Sequence, residues 1–188
     1  MPVLASCDLV SVEEYLEGER HSEIKHEYLG GVAHAMAGGP TRHNTICVNG
    51  LVTLANKLSS SKCRPFNSDM KVRLSYRGQT RFYCPDLHVT CESTNGDSDF
   101  QDKPTVIIEV LSPSTQRFDL NEKLDAYLTI PSLQTLILLD QDRPLARVDQ
   151  RHSEKEFRQT FYQKLDEVID LPSLEISMTL SDLYQGAF

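Results

Sequence analysis

Asp86 and Glu109 are the two residues of this chain whose surroundings ask for chemistry. Asp86 follows Cys84-Pro85 at the mouth of a candidate strand, Leu87 to Cys91, and Glu109 lies within the apolar run Val106-Ile107-Ile108-Glu109-Val110-Leu111. A carboxylate among Val, Ile and Leu is costly to desolvate unless a cation or strong donors meet its charge. Simple alternation does not remove the cost, because Ile108 and Val110 flank the acid while Ile107 and Leu111 share its face. The run reads as a strand buried on both faces, and the acid pair reads as a metal site. Taken singly, each acid has a plainer reading: Pro-Asp is common turn chemistry, and a Glu on the solvent side of an edge strand needs no ion.

The elements that must position this pair can be followed along the chain. Ser11 with Glu14 three residues on is a capping box, opening a short helix with Val12, Tyr15 and Leu16 on one face. Gly30-Gly31 between Ile24–Leu29 and Val32–Ala37 signals a β-hairpin. From Thr41 to Ser60, Ile46, Leu51, Leu54 and Leu58 recur at helical steps. Cys63–Phe66 and Met70–Tyr76 read as strands, Arg77-Gly78-Gln79 as a turn, and Glu92–Lys103 as a polar loop. Thr105–Leu111 is the central strand, Ser112-Pro113-Ser114-Thr115 breaks it, and Asp119–Leu128 is a helix with Leu120, Leu124 and Tyr127 inward. Leu133–Leu139 is a second apolar strand, followed by strands at Leu145–Val148 and Phe157–Tyr162 and an apolar C-terminal run. Strand, helix, strand across Thr105–Asp140 permits parallel pairing, whereas the hairpin must be antiparallel. The expectation is an α/β fold, with a mixed sheet flanked by helices, in a single domain spanning residues 1–188.

Composition narrows the function classes. The chain of 188 residues carries 19 Lys+Arg against 27 Asp+Glu, a formal charge of −8, which argues against a coat that binds nucleic acid everywhere along its backbone. A nuclease survives this test, since a local basic patch or bound divalent cations offset the total. The five cysteines, Cys7, Cys47, Cys63, Cys84 and Cys91, are odd in number and lack CxxC spacing, so neither a disulfide framework nor a zinc ribbon is expected and a reducing cytoplasm fits. No secretion signal or membrane-length apolar run is read at the N-terminus or elsewhere, so a soluble, unexported protein is expected.

With the hairpin, Pro85-Asp86, Glu109 and Lys123 in this order, the chain resembles the PD-(D/E)XK restriction-endonuclease-like superfamily, and within it the bacterial endonuclease family of Uma type. The resemblance runs from about Val10 to Tyr184. It rests on Tyr15-Leu16, His26-Glu27-Tyr28-Leu29-Gly30-Gly31-Val32, His43, Asp69-Met70-Lys71-Val72-Arg73, Pro85-Asp86, Ile108-Glu109-Val110-Leu111-Ser112-Pro113-Ser114-Thr115, Asp119, Lys123 and Tyr127. Glu-Val-Leu-Ser-Pro-Ser-Thr after a Pro-Asp strand is the specific part.

The resemblance implies a restriction-endonuclease-like fold and a Mg²⁺-dependent (or Mn²⁺-dependent) endonuclease acting on DNA, as a homodimer by analogy. It implies that Asp86 and Glu109, with a backbone carbonyl near Val110, hold the metal. The superfamily's lysine two positions after the strand acid is here Leu111, and the resemblance moves that role to Lys123, one helical turn after Asp119. The plainer reading of Lys123 is an exposed partner of Asp119. Glu27 matches an acid that reaches the same centre, although a strand Glu facing solvent is the alternative. His43 is a candidate for phosphate contact or for support of the site. Asp69 follows a turn, where acids are more often structural, and the alternating Lys71 and Arg73 form either part of a phosphate-binding face or a solvated strand face. Similar proteins carry an aromatic pair near Thr135-Leu136, whereas this chain has no Trp. The competing function is a non-catalytic, nuclease-like module that binds nucleic acid or protein.

Overall fold

A computed structural model of the protein describes residues 9–92, 96–111 and 119–188. In chain order its elements are α1 (Val12–His21), β1 (His26–Leu29), β2 (Val32–Ala35), α2 (Thr41–Lys57), β3 (Arg64–Asn67), β4 (Lys71–Tyr76), β5 (Gln79–Tyr83), β6 (Leu87–Thr90), β7 (Phe100–Gln101), β8 (Pro104–Leu111), α3 (Asp119–Leu128), β9 (Thr135–Asp140), β10 (Ala146–Arg151), β11 (Phe157–Tyr162), β12 (Val168–Leu171), β13 (Ile176–Thr179) and α4 (Leu180–Tyr184). The Ser-Pro-Ser-Thr break expected after the central strand lies outside the described residues.

Local sequence explains the first elements. The Ser11–Glu14 capping box is formed in both directions and starts α1. Gly30 and Gly31 take φ values of +58° and +109°, which lets Leu29 pair with Val32 across a two-residue turn. Inside α2, Gly50 is a point of close approach: a Cβ there would lie 2.7 Å from Leu87 Cδ1, so the missing side chain lets the helix settle onto β6.

A six-stranded mixed sheet, ordered β11-β10-β9-β8-β6-β3, forms the centre, and β8 and β9 are its parallel pair. A five-stranded sheet, ordered β2-β1-β5-β4-β7, carries the N-terminal hairpin, and β12 with β13 makes a small third sheet. The sequence indicated one mixed sheet; the second exists because Gln79–Tyr83, of which only Gln79 was assigned, to a turn, pairs with both β1 and β4. Likewise Phe100–Gln101, within the expected polar loop, pairs in parallel with β4.

Both faces of β8 are buried, as the apolar run demands. Val106, Ile108 and Val110 pack with Ile46 and Leu54 of α2, with Leu87 and Val89, and with the C-terminal elements. Ile107 on the opposite face packs with Leu124 and Tyr127 of α3 and with Val72, Leu74 and Tyr83 of the second sheet. A third cluster, Tyr15, Tyr28 and Phe82, seats α1 on the hairpin sheet. Glu109 thus projects into the seam where α3 and the five-stranded sheet cover the central sheet.

One cysteine pair departs from expectation. Cys63 and Cys91 are joined by a disulfide. They lie one position beyond the Arg64–Thr90 pair of β3 and β6, so the strand register brings them opposite each other. Cys47 and Cys84 are free thiols.

Candidate active site

The antiparallel register of β6 and β8, Leu87 with Ile108 and His88 with Ile107, extends one step to set Asp86 opposite Glu109. Asp86 stands just before β6 begins, so it is the Asp86 carboxylate that reaches β8: its Oδ2 accepts a 2.7 Å hydrogen bond from the Val110 amide. This ties one acid to the backbone immediately beside the other. Asp86 is half-buried and Glu109 is buried at 6% exposure.

Lys123 reaches this pair from α3. Its Nζ lies 2.9 Å from Glu109 Oε1 and 2.9 Å from Glu27 Oε1. The ammonium sits near the faces of Tyr83 and Tyr127, 5.5 and 5.8 Å from the ring centroids. Lys123 is therefore no exposed surface partner. Its helical neighbour Asp119 has a side chain outside the description. Glu27, from the middle of β1, also accepts a 3.0 Å hydrogen bond from the Cys84 amide, which ties the hairpin to the Cys-Pro-Asp segment. The Tyr127 hydroxyl donates to Glu109 Oε1 at 2.8 Å, one turn of α3 beyond Lys123.

Two carboxylates, Glu27 and Glu109, share one ammonium, with Asp86 beside Glu109, and burial together with these charges sets the titration of Glu109. Its carboxyl is raised to about 7, first by burial, which Lys123 opposes and to which Asp86 and Glu27 add. For Lys123, burial alone disfavours the ammonium, but Glu109 and Glu27 outweigh it and hold the group firmly protonated. Burial also raises Tyr127, as do the nearby carboxylates, so its hydroxyl is a donor at neutral pH.

His43, in the first turn of α2, closes the other side. Its Nε2 lies 3.4 Å from Asp86 Oδ2, and this hydrogen bond raises the imidazole above its ordinary value against the opposing effect of burial. A Cβ on Gly39 would lie 2.8 Å from the ring, so the glycine preserves the space His43 occupies. Cys47, one turn along α2, sits 3.5 Å from His43 Nδ1. Burial, with Asp86 and Glu109 nearby, raises its thiol well above the ordinary value.

The remaining candidates hold other partners. Asp69 pairs with Lys25. Lys71, only 12% exposed, lies 3.2 Å from Glu19, which also accepts from His26 at 2.7 Å. Arg73 makes a two-point pair with Asp102 at 2.7 and 2.8 Å and stacks over Phe100. Neither Lys71 nor Arg73 is a free strand-face cation. Tyr127 and Cys47, absent from the sequence-derived site, each lie four residues after a residue that belongs to it; this spacing was the available signal for Cys47, and Tyr127 was in addition among the residues that carry the resemblance.

The donor set fits a hard divalent cation. Asp86 and Glu109 offer oxygen ligands, and a buried acid pushed toward neutrality is what added positive charge would relieve. Against this geometry, the family model described as "Uma2: Putative restriction endonuclease" matches residues 12–181. The chain belongs to the Uma2 family. Two uncharacterized proteins of Synechocystis sp. are similar to it: one is 32% identical over 94% of this chain and 92% of its own length, the other 33% identical over 75% and 80%. Among solved structures, a protein from Anabaena variabilis described as a putative nuclease belonging to DUF820 shares the fold, with a TM-score of 0.74 over 95% of this chain and 99% of that one, at 18% identity. The Uma2 chain thus has the restriction-endonuclease-like fold, and no helix among its described residues is long and apolar enough to cross a membrane.

Proposed function

We propose that this Uma2 protein is a Mg²⁺- or Mn²⁺-dependent endonuclease that hydrolyses DNA phosphodiester bonds. The observation that carries the reading is Lys123, whose ammonium bridges Glu109 and Glu27 beside Asp86 and supplies from α3 the cation absent at Leu111. Asp86 and Glu109, with the carbonyl of Val110, are the groups that would hold the metal. When bound, a divalent cation there would supply charge neutralisation at the scissile phosphate and acidification of a bound water.

The chain's own residues divide the remaining work. The Val110 amide fixes Asp86 Oδ2, and the Tyr127 hydroxyl fixes Glu109 Oε1, so both acids are oriented before substrate arrives. Glu27, anchored by the Cys84 amide, holds the Lys123 ammonium at the rim of the acid pair. From there Nζ can donate a hydrogen bond to the attacking water or to a phosphate oxygen, where negative charge grows in the transition state. His43, hydrogen-bonded to Asp86 and raised in basicity by it, would add positive charge beside the acid pair when protonated.

Duplex cleavage needs one such site per strand, so a homodimer is the assembly proposed for it. The test is cleavage of supercoiled plasmid by purified protein with Mg²⁺ or Mn²⁺, with chelator, and with Glu109→Gln. Metal-dependent nicking or linearisation lost in Glu109→Gln supports the reading. Metal-independent cutting, or cutting that survives in Glu109→Gln, contradicts the reading, and no cutting by a folded protein over a range of DNA substrates favours the nuclease-like binding module instead.

A further inference from the structure

A second set of ligands meets the first at Asp86. His43 and Cys47 are four residues apart on α2 and share a helix face, while Asp86 approaches from the mouth of β6. One ligand atom from each of the three lies within 4.8 Å of the other two, and all three residues are half-buried. Neither Glu109 nor Lys123 belongs to this set. We propose that His43, Cys47 and Asp86 form a site for a thiophilic divalent cation of the zinc type, which shares Asp86 with the hard-cation site and so competes with Mg²⁺ or Mn²⁺ for it. The competition, though not the thiolate site, rests on the function proposed above.

The chemistry of the donors separates the two ions. Mg²⁺ favours octahedral oxygen ligands and retained waters, and gains little from sulfur or imidazole. Zinc takes sulfur, nitrogen and oxygen together in tetrahedral geometry, and three protein ligands with one open position are a familiar zinc arrangement. With bonds of about 2.0–2.3 Å, tetrahedral ligand atoms lie roughly 3.3–3.7 Å apart. The His43 Nε2–Asp86 approach of 3.4 Å is in that range, whereas Cys47 lies 3.5 Å from the other ring nitrogen, so closure on one ion draws in ligand atoms that now lie within 4.8 Å of one another. On binding, His43 coordinates as neutral imidazole, and Cys47 gives its thiol proton to solvent as the sulfur–metal bond forms. No oxidant or further reactant is involved.

Co²⁺, which reports thiolate ligation by a near-ultraviolet charge-transfer band, is the probe. Metal-free full-length protein should develop the band with one equivalent of Co²⁺ and lose it to one equivalent of Zn²⁺. Cys47→Ser should abolish the band and weaken Co²⁺ binding more than about 10-fold. Cys84→Ser, Cys7→Ser and Glu109→Gln should retain it. No band in the wild type, or a band that survives Cys47→Ser, overturns the site. For the competition, Mn²⁺ binding is followed by electron paramagnetic resonance. One equivalent of Zn²⁺ should release bound Mn²⁺ from the wild type but not from Cys47→Ser; simultaneous, independent binding overturns the sharing of Asp86. Failure of Mn²⁺ to bind at all overturns the hard-cation reading and the competition with it, while the Co²⁺ band separately decides the thiolate site.

Discussion

Replacing Lys123 with Met removes a charge at the centre of the candidate site while nearly conserving volume, and its effect can be worked out in advance. The ammonium bridges two carboxylates at 2.9 Å each, with a side chain only 16% exposed. Removing one partner of such a buried pair costs about 3–5 kcal/mol, because the other charge is left buried. At about 2–4 °C per kcal/mol for a chain of this size, the melting temperature should fall by roughly 6–20 °C. Glu109 softens the loss by taking up a proton. Its folded-state value, about 7 with Lys123 present, already stands above the ordinary 4.5. Its contribution to stability is therefore full below about 4.5 and lost as pH rises through about 7. Without Lys123 the upper edge of that window moves higher, so Lys123→Met should be mildest near pH 5 and most severe near pH 9. Thermal unfolding of metal-free protein across this range, followed by circular dichroism, is the assay. A deficit under about 2 °C at pH 9, or one that shrinks as pH rises, would refute the picture of a lysine neutralising buried acids.

Tyr127→Phe removes the hydroxyl donor to Glu109 and should cost about 1–3 kcal/mol in denaturant unfolding, with the loss greater above pH 7 than below it. Saturating Mg²⁺ or Mn²⁺, at about 100 times its dissociation constant, should stabilise the wild type by about 2.7 kcal/mol in thermal shift, and this gain should vanish in Asp86→Ala. In Asp86→Asn the His43 ring, followed by NMR, should titrate at lower pH than in the wild type. The stability that His43 draws from Asp86, present below about 6.5 and lost as pH rises through its raised folded value, should disappear with it. His88 is buried with no hydrogen-bond partner at either ring nitrogen among the described residues, stacks on Phe66, and is lowered by burial to about 4. Wild-type stability should therefore fall as pH drops from about 6.5 through about 4, and His88→Leu should flatten that part of the profile, with a gain of about 1–3 kcal/mol at pH 5.

Legibility in the sequence followed the range of each interaction. The two-sided burial of Glu109 was readable because five apolar neighbours surround it in one strand, and the hairpin because Gly30-Gly31 supplies the turn locally. The second sheet was harder to see. Arg81 interrupts the apolar pattern of β5, and its cost is met by Glu122, 41 positions away, and by the Tyr83 hydroxyl. The Cys63–Cys91 disulfide depends on the β3–β6 register, which spacing alone does not reveal. Lys71 and Arg73 alternate visibly along β4, but their partners Glu19 and Asp102 come from distant elements. In the site, Tyr127 and Cys47 share faces with Lys123 and His43 by their spacing. What those faces look toward is set by how α3 and α2 pack on the central sheet, and only the fold supplies that.

Asp86 and Glu109 are proposed to hold one hard cation beside Lys123. Anomalous diffraction from crystals of the full chain soaked in Mn²⁺ tests it directly. A single strong peak within coordination distance of both carboxylates, absent in Glu109→Gln, is the predicted result. Mn²⁺ bound elsewhere, or at Asp86 with Glu109 still turned to Lys123 and outside the coordination sphere, would contradict it.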